Sequence, residues 1–385
     1  MVEQTRTVAR LREQVVRSVR DAIDRSVLSG PRWKLKALVA VLLVSLCRSF
    51  PSYDALHTPF VQSTWQNAQI KIDKPLADMA RLFPPDSHES KLTFRLTVPV
   101  LAHTLRLGRA GILLVSALAG VLLLCTALSC AHTVTASKHA ALFVCLATAS
   151  TWPGVTGFHE LRGGFYDAVA LCLLLLGLSS GSPLRTALWI FLAAWTDERA
   201  LIASSLVFLF SVNRAGDSFF SGKRVAIFAA WLAYFASRIY LAGKFSLILA
   251  PGIAGPFPFA QQANTMPLGV WSGLGGNWIL VVCGLVAVLL QRRFRMAAVF
   301  CVALATTMAA ALSVVDVTRS MAYCLPAVFV GMQALARSEP VGEIEKLATL
   351  AGAISFVVPT HYVQGSTGIW WLYPLPVQLL RWLAP

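Results

Sequence analysis

Long apolar stretches, broken at intervals by short charged turns, constrain this chain more than any motif does. Ile112–Leu128 and Ile279–Leu290 are continuous rather than amphipathic, and a hydrocarbon span needs about 20 mostly apolar residues. Of the 385 residues, 56% are hydrophobic and only 13% charged, with a mean hydropathy of +0.65. From this pattern we expect an all-α polytopic membrane protein with about eleven (10–12) transmembrane helices. It would comprise a cytoplasmic basic segment at 1–34 and a single transmembrane domain at 35–385.

The net charge of +15 fits Lys- and Arg-rich inner loops better than nucleic acid, for which no module is recognisable. All eight cysteines lie in or beside apolar runs, and none forms a CxxC pair or a Cys/His cluster. Residues 1–34 place Arg6, Arg10, Arg17 and Arg20 among Val8, Leu11, Val15, Val19 and Ile23. That spacing suits a helix lying on an anionic surface and not a cleavable signal peptide. The same charge places the N-terminus in the cytosol. Long outer loops are expected at 51–108 and 243–277. The first would hold an interfacial helix over Leu92–Leu107, and the tail 368–385 would be an aromatic belt or a twelfth span. No internal repeat supports a transporter with duplicated halves.

Residues 186–212 are apolar except for Thr196-Asp197-Glu198-Arg199. One span there would set three charges at mid-bilayer, each costing at least about 2.5 kcal/mol, so two short helices meeting at the charged turn are expected.

Acids and bases gather at the ends of the apolar runs. Asp86, His88 and Glu89 precede Arg95; His159, Glu160 and Arg162 precede Asp167; Asp197, Glu198 and Arg199 are consecutive; Asp316 and Arg319 lie at i, i+3. Each pair alone is a common structural ion pair. Four such groups on one side of a membrane point to a shared polar cavity. Carboxylates there would supply a general base or hold a divalent cation such as Mg or Mn, and arginines would hold a phosphate.

Phe165-Tyr166-Asp167-Ala168, Thr196-Asp197-Glu198-Arg199-Ala200 and the acidic first outer loop resemble the GT-C superfamily of integral membrane glycosyltransferases. The resemblance implies sugar transfer, in cell-envelope polysaccharide chemistry, from a polyprenyl-phosphate-linked donor to a lipid, glycan or protein acceptor on the non-cytosolic face. It places the catalytic acid in the first outer loop, where Asp54 competes with Asp86 and Glu89; the usual adjacent acidic pair is absent. His88, Arg95, His159, Glu160, Arg162, Asp167, Asp197, Glu198, Arg199, Asp316 and Arg319 would bind substrate. The alternatives are a lipid-linked polysaccharide polymerase or ligase, an acyltransferase, and a membrane transporter.

Overall fold

The computed structural model describes residues 14, 17–84, 87, 89–212, 221–249, 262–365 and 368–383. Helices α1 (Trp33–Arg48), α2 (Pro59–Asp73) and α3 (Thr97–Leu105) lead into the longest, α4 (Arg109–Thr135). Then follow α5 (Lys138–Ala149), α6 (Trp152–His159), α7 (Asp167–Ser179), α8 (Pro183–Thr196), α9 (Glu198–Val212) and α10 (Gly222–Phe245). The C-terminal part holds α11 (Met266–Leu274), α12 (Asn277–Leu290), α13 (Phe294–Leu312), α14 (Val317–Met321), α15 (Leu325–Ser338) and α16 (Val341–Val357). Strands β1 (His361–Gln364) and β2 (Gly368–Trp371) form an antiparallel hairpin, and α17 (Leu375–Leu383) closes the described chain.

Local sequence sets several of these boundaries. Ser137 caps α5 by accepting from the Ala140 N–H, and Ser182 caps α8 by accepting from the Arg185 N–H, with Pro183 in the first turn. The chain leaves helix at Asp197, which is extended, and re-enters it at Glu198.

The expectation of about eleven transmembrane helices is corrected. Among the described residues three helices are long and apolar enough to cross a membrane: α4, α10 and α13. The number rises to five if α5 with α6 (bent by 51°) and α11 with α12 (bent by 84°) each count as one span. The physical reason is length. Helices α7, α8, α12 and α15 have 13 or 14 residues, about 20 Å at 1.5 Å per residue, against a hydrocarbon core of about 30 Å. Their apolar character comes from burial in protein: from Leu325 to Leu335 every residue of α15 but Gln333 is buried. A short helix apolar all round is a core helix.

The multi-pass localisation is corrected with it. A non-cytosolic charged face followed from counting eleven alternating crossings from an N-terminus placed in the cytosol by its basic charge, and three to five candidate crossings do not give that alternation. The tail is also not a twelfth span: its described residues form the second strand of a hairpin and a nine-residue helix. In place of one interfacial helix over Leu92–Leu107 there are a 3-10 turn at Glu89–Phe94 and the nine-residue α3.

Two glycine contacts fix the frame around the site. Helices α12 and α15 cross at Gly284 and Gly331, where a Cβ on Gly284 would lie 2.2 Å from the Gly331 Cα, so neither position admits a side chain. Gly163 presses on α2: a Cβ there would meet the Thr64 carbonyl at 2.6 Å. Its N–H donates to Thr64 Oγ1 (3.0 Å), and Trp65 Nε1 donates to the Leu161 carbonyl (2.8 Å). The 160–166 segment is thereby held against α2.

Candidate functional site: a buried arginine–carboxylate cluster

Four separate stretches of chain converge on one charged cluster. Arg95 sits between the Glu89–Phe94 turn and α3, and the next residue is pinned by Leu96 N–H donating to the Trp195 carbonyl (2.7 Å). Asp167 is the first residue of α7, Asp197 joins α8 to α9, Arg199 lies in the first turn of α9, and Asp316 and Arg319 flank the start of α14.

Arg199 is the hub. Its Nε donates to Asp197 Oδ1 (2.8 Å), and its Nη2 donates to Asp197 Oδ2 (2.7 Å) and to Asp167 Oδ1 (2.9 Å). Its Nη1 reaches Ser320 Oγ (2.5 Å), and the guanidinium lies over the Tyr323 ring (4.8 Å). Asp167, 1% exposed, also accepts from the Tyr323 hydroxyl (2.9 Å), while Arg319 Nε faces its other oxygen at 3.1 Å. Arg319 Nη1 lies 3.2 Å from Asp316, and Arg95 Nη2 lies 3.1 Å from Asp197. Glu198 lies 3.3 Å from Arg238. Glu160 takes Arg162 in a bidentate pair (2.6 and 2.7 Å), and the guanidinium carbons of Arg162 and Arg319 lie 4.1 and 4.3 Å from the Phe165 ring centroid.

Burying so many charges is tolerable only when they neutralise one another. Burial alone would raise the Asp197 carboxyl, but Arg199 and Arg95 outweigh it and hold it well below the usual carboxylate range. Asp316 is depressed in the same way: Arg319 and Arg162 overcome its desolvation. The carboxylates in turn outweigh burial at Arg162 and Arg199 and lock both in the charged form.

The cluster opens on a cavity of about 470 Å³, lined by Lys91, Arg95, Asp197, Glu198, Arg199, Asp316, Arg319 and Gln364 among others. Two donors there are unspent. Lys91 has no ion-pair or hydrogen-bond partner for its ammonium among the described residues. Desolvation, and next the neighbouring Arg95, push its pKa below the ordinary lysine value. Arg95 Nε is buried without a hydrogen-bond partner, and Glu198 Oε2 lies 3.9 Å from it.

Arg95, Glu160, Arg162, Asp167, Asp197, Glu198, Arg199, Asp316 and Arg319 are thus brought together. Asp54 and His159 line a separate, adjacent cavity of about 600 Å³; Asp54 accepts from Trp382 Nε1 (3.2 Å), and His159 Nε2 is spent on the Ser49 carbonyl (2.9 Å). Glu89 accepts from Asn67 (3.2 Å) and lines neither cavity. Asp86 and His88 lie outside the described residues. Sequence reasoning placed Lys91 in the charged segment 86–91 but not among the site residues, and gave no sign of Ser320, Tyr323, Tyr362 or Gln364. Among the described residues no group of three or more His, Cys, Asp or Glu side chains is arranged to hold a metal ion.

No family model, no curated protein and no solved structure matches the chain. The GT-C resemblance is corrected accordingly: it presupposed a bundle of about eleven spans where three to five candidates are found. The glycosyltransferase assignment falls with that frame. So do the polyprenyl-phosphate donor, the lipid, glycan or protein acceptor, and the polymerase, ligase, acyltransferase and transporter alternatives.

Proposed function

We propose that the 470 Å³ cavity binds the oxyanion of a small organic ligand, a phosphate or a carboxylate. The observation that carries this reading is the Lys91 ammonium, without a hydrogen-bond or ion-pair partner among the described residues, at the wall of a cavity it shares with Arg95, Arg199 and Arg319. A fully matched ion-pair network would be a structural element. Among the described residues this one has a cation left over: Lys91, Arg95, Arg162, Arg199, Arg238 and Arg319 stand with Glu160, Asp167, Asp197, Glu198 and Asp316.

The division of labour follows from the geometry. Asp167 orients Arg199 and Arg319 from behind, and Asp197 at the cavity wall holds Arg199 and Arg95, so the arginine forks are already ordered when the anion arrives. Glu198 and Asp316 border the cavity and disfavour a second negative charge nearby, which sets the ligand's register. Lys91 supplies a positive charge that makes no ion pair among the described residues.

Calorimetric titration of the full chain with inorganic phosphate, and separately with succinate, tests the reading and separates the two anion chemistries. Binding of one anion is expected, weakening as NaCl is raised and falling at least tenfold in Lys91→Ala. No heat from either anion at millimolar concentration would sink it.

A further inference from the structure

The second cavity is walled differently. Trp152, Tyr362 and Trp370 form a ladder of tilted rings, with centroids 4.8 and 5.5 Å apart. The hairpin builds this ladder: Tyr362 on β1 and Trp370 on β2 are register partners and therefore share a face. The first two rings are buried, and Trp370, the last, is 51% exposed. Its neighbour Trp371 packs on Tyr373 (5.0 Å), over which Arg381 lies at 4.7 Å. Trp370 and Trp371 thus leave indole surface open at the wall of a cavity, 51% and 38% exposed, where an apolar ring can cover it.

The two cavities meet at the hairpin. Gln364, the last residue of β1, lines both. Tyr362 borders the aromatic cavity and Asp316 the cationic one, and their side chains are joined by a single hydrogen bond of 2.9 Å. A ligand anchored at Lys91 and Arg95 therefore has a continuation across Gln364, and what it meets there is the end of a ring stack.

We infer that the two cavities are one bipartite site for an organic phosphate carrying a planar ring, its anion on Lys91 and Arg95 and its ring against Trp370. The inference rests on the oxyanion reading of the first cavity. The ring extends the ladder by one offset-stacked member, and the Gln364 amide offers a donor and an acceptor to the linker between ring and phosphate.

Three probes separate the terms: inorganic phosphate, ribose 5-phosphate and adenosine monophosphate, titrated calorimetrically into the full chain with tryptophan emission followed in parallel. The nucleoside monophosphate is expected to bind at least tenfold tighter than ribose 5-phosphate and to quench tryptophan emission, with Trp370→Ala abolishing that advantage. Equal affinities for these two, or equally tight binding of adenosine without its phosphate, would overturn the bipartite site while phosphate binding alone kept the oxyanion reading. Failure of all the phosphates would overturn both. The comparison of ligands on the unmodified chain decides the matter even if Trp370→Ala does not fold.

Discussion

The Tyr362 hydroxyl donates to Asp316 Oδ1 at 2.9 Å and accepts from Arg162 Nη2 at the same distance. One phenol thereby ties the turn before α14 to the Arg162–Glu160 pair at the end of α6, and does so from a hairpin about 200 residues downstream of Arg162. Burial, and next the Asp316 charge, keep this phenol protonated far above the ordinary tyrosine range. It is therefore a permanent donor.

Tyr362→Phe keeps the ring in its ladder and removes both hydrogen bonds. Leaving buried charged partners unsatisfied costs about 1–3 kcal/mol, and urea unfolding of the variant is expected to show a loss of that size. Unchanged stability would mean that the hydroxyl contributes nothing to the tie.

Asp167→Asn removes the charge that faces Arg199 and Arg319 together. Breaking a buried pair typically costs about 3–5 kcal/mol because the partner charge stays behind, so this variant should be severely destabilised or fail to accumulate. Glu343→Gln serves as the contrast. It breaks the exposed Glu343–Lys346 pair, and its thermal midpoint should match the parent's within error.

Acid should unfold the protein through the same cluster. Asp197 and Asp316 titrate lower in the fold than in the unfolded chain, whose aspartates titrate near about 3.9. As pH falls the unfolded state takes up protons first, so stability is fully present above that value and is lost as pH drops through the folded-state pKa. Thermal midpoints should hold between about pH 6 and 5 and fall steeply from about pH 4 to 2, and Asp316→Asn should flatten part of the slope.

A separate, alkaline dependence is expected from Lys71. Its ammonium is 1% exposed and donates to the carbonyls of Ala77 (3.1 Å) and Thr93 (2.6 Å). Burial, only partly opposed by Asp78, brings its pKa down to about 7, below the lysine value of about 10.4 in the unfolded chain. The penalty of holding a buried charge is full below pH 7 and is relieved as pH rises toward the unfolded value, so stability should increase over that window. Lys71→Met should abolish the increase, as read by urea midpoints at a series of pH values.

The gathering of acids and bases at helix ends was legible in the sequence, because a charged residue is excluded from an apolar helix and accumulates where the helix stops. Asp197 shows this: the cost of three charges in the middle of residues 186–212 requires a break there, and the chain does leave helix at that residue. The nature of the apolar helices was not legible. Composition alone cannot distinguish α15, wrapped by protein on every side, from a span wrapped by lipid, because both read as uninterrupted hydrophobic residues; only length and neighbours separate them. Tyr362 and Gln364 were invisible for another reason. The hairpin that carries them is only four residues per strand, follows a long helix and has no alternating pattern, so nothing local marks it as the wall between two cavities.

The crossing of Gly284 and Gly331 leaves no cushion of side chains between two helices. Helices in backbone contact cannot slide or rotate past one another without lifting apart, so α12 and α15 behave as a welded joint. On the proposed reading, adaptation to an arriving guest then falls to the hairpin at the rim. Stiffening that hairpin should alter guest discrimination more than any change made to the bundle beneath it.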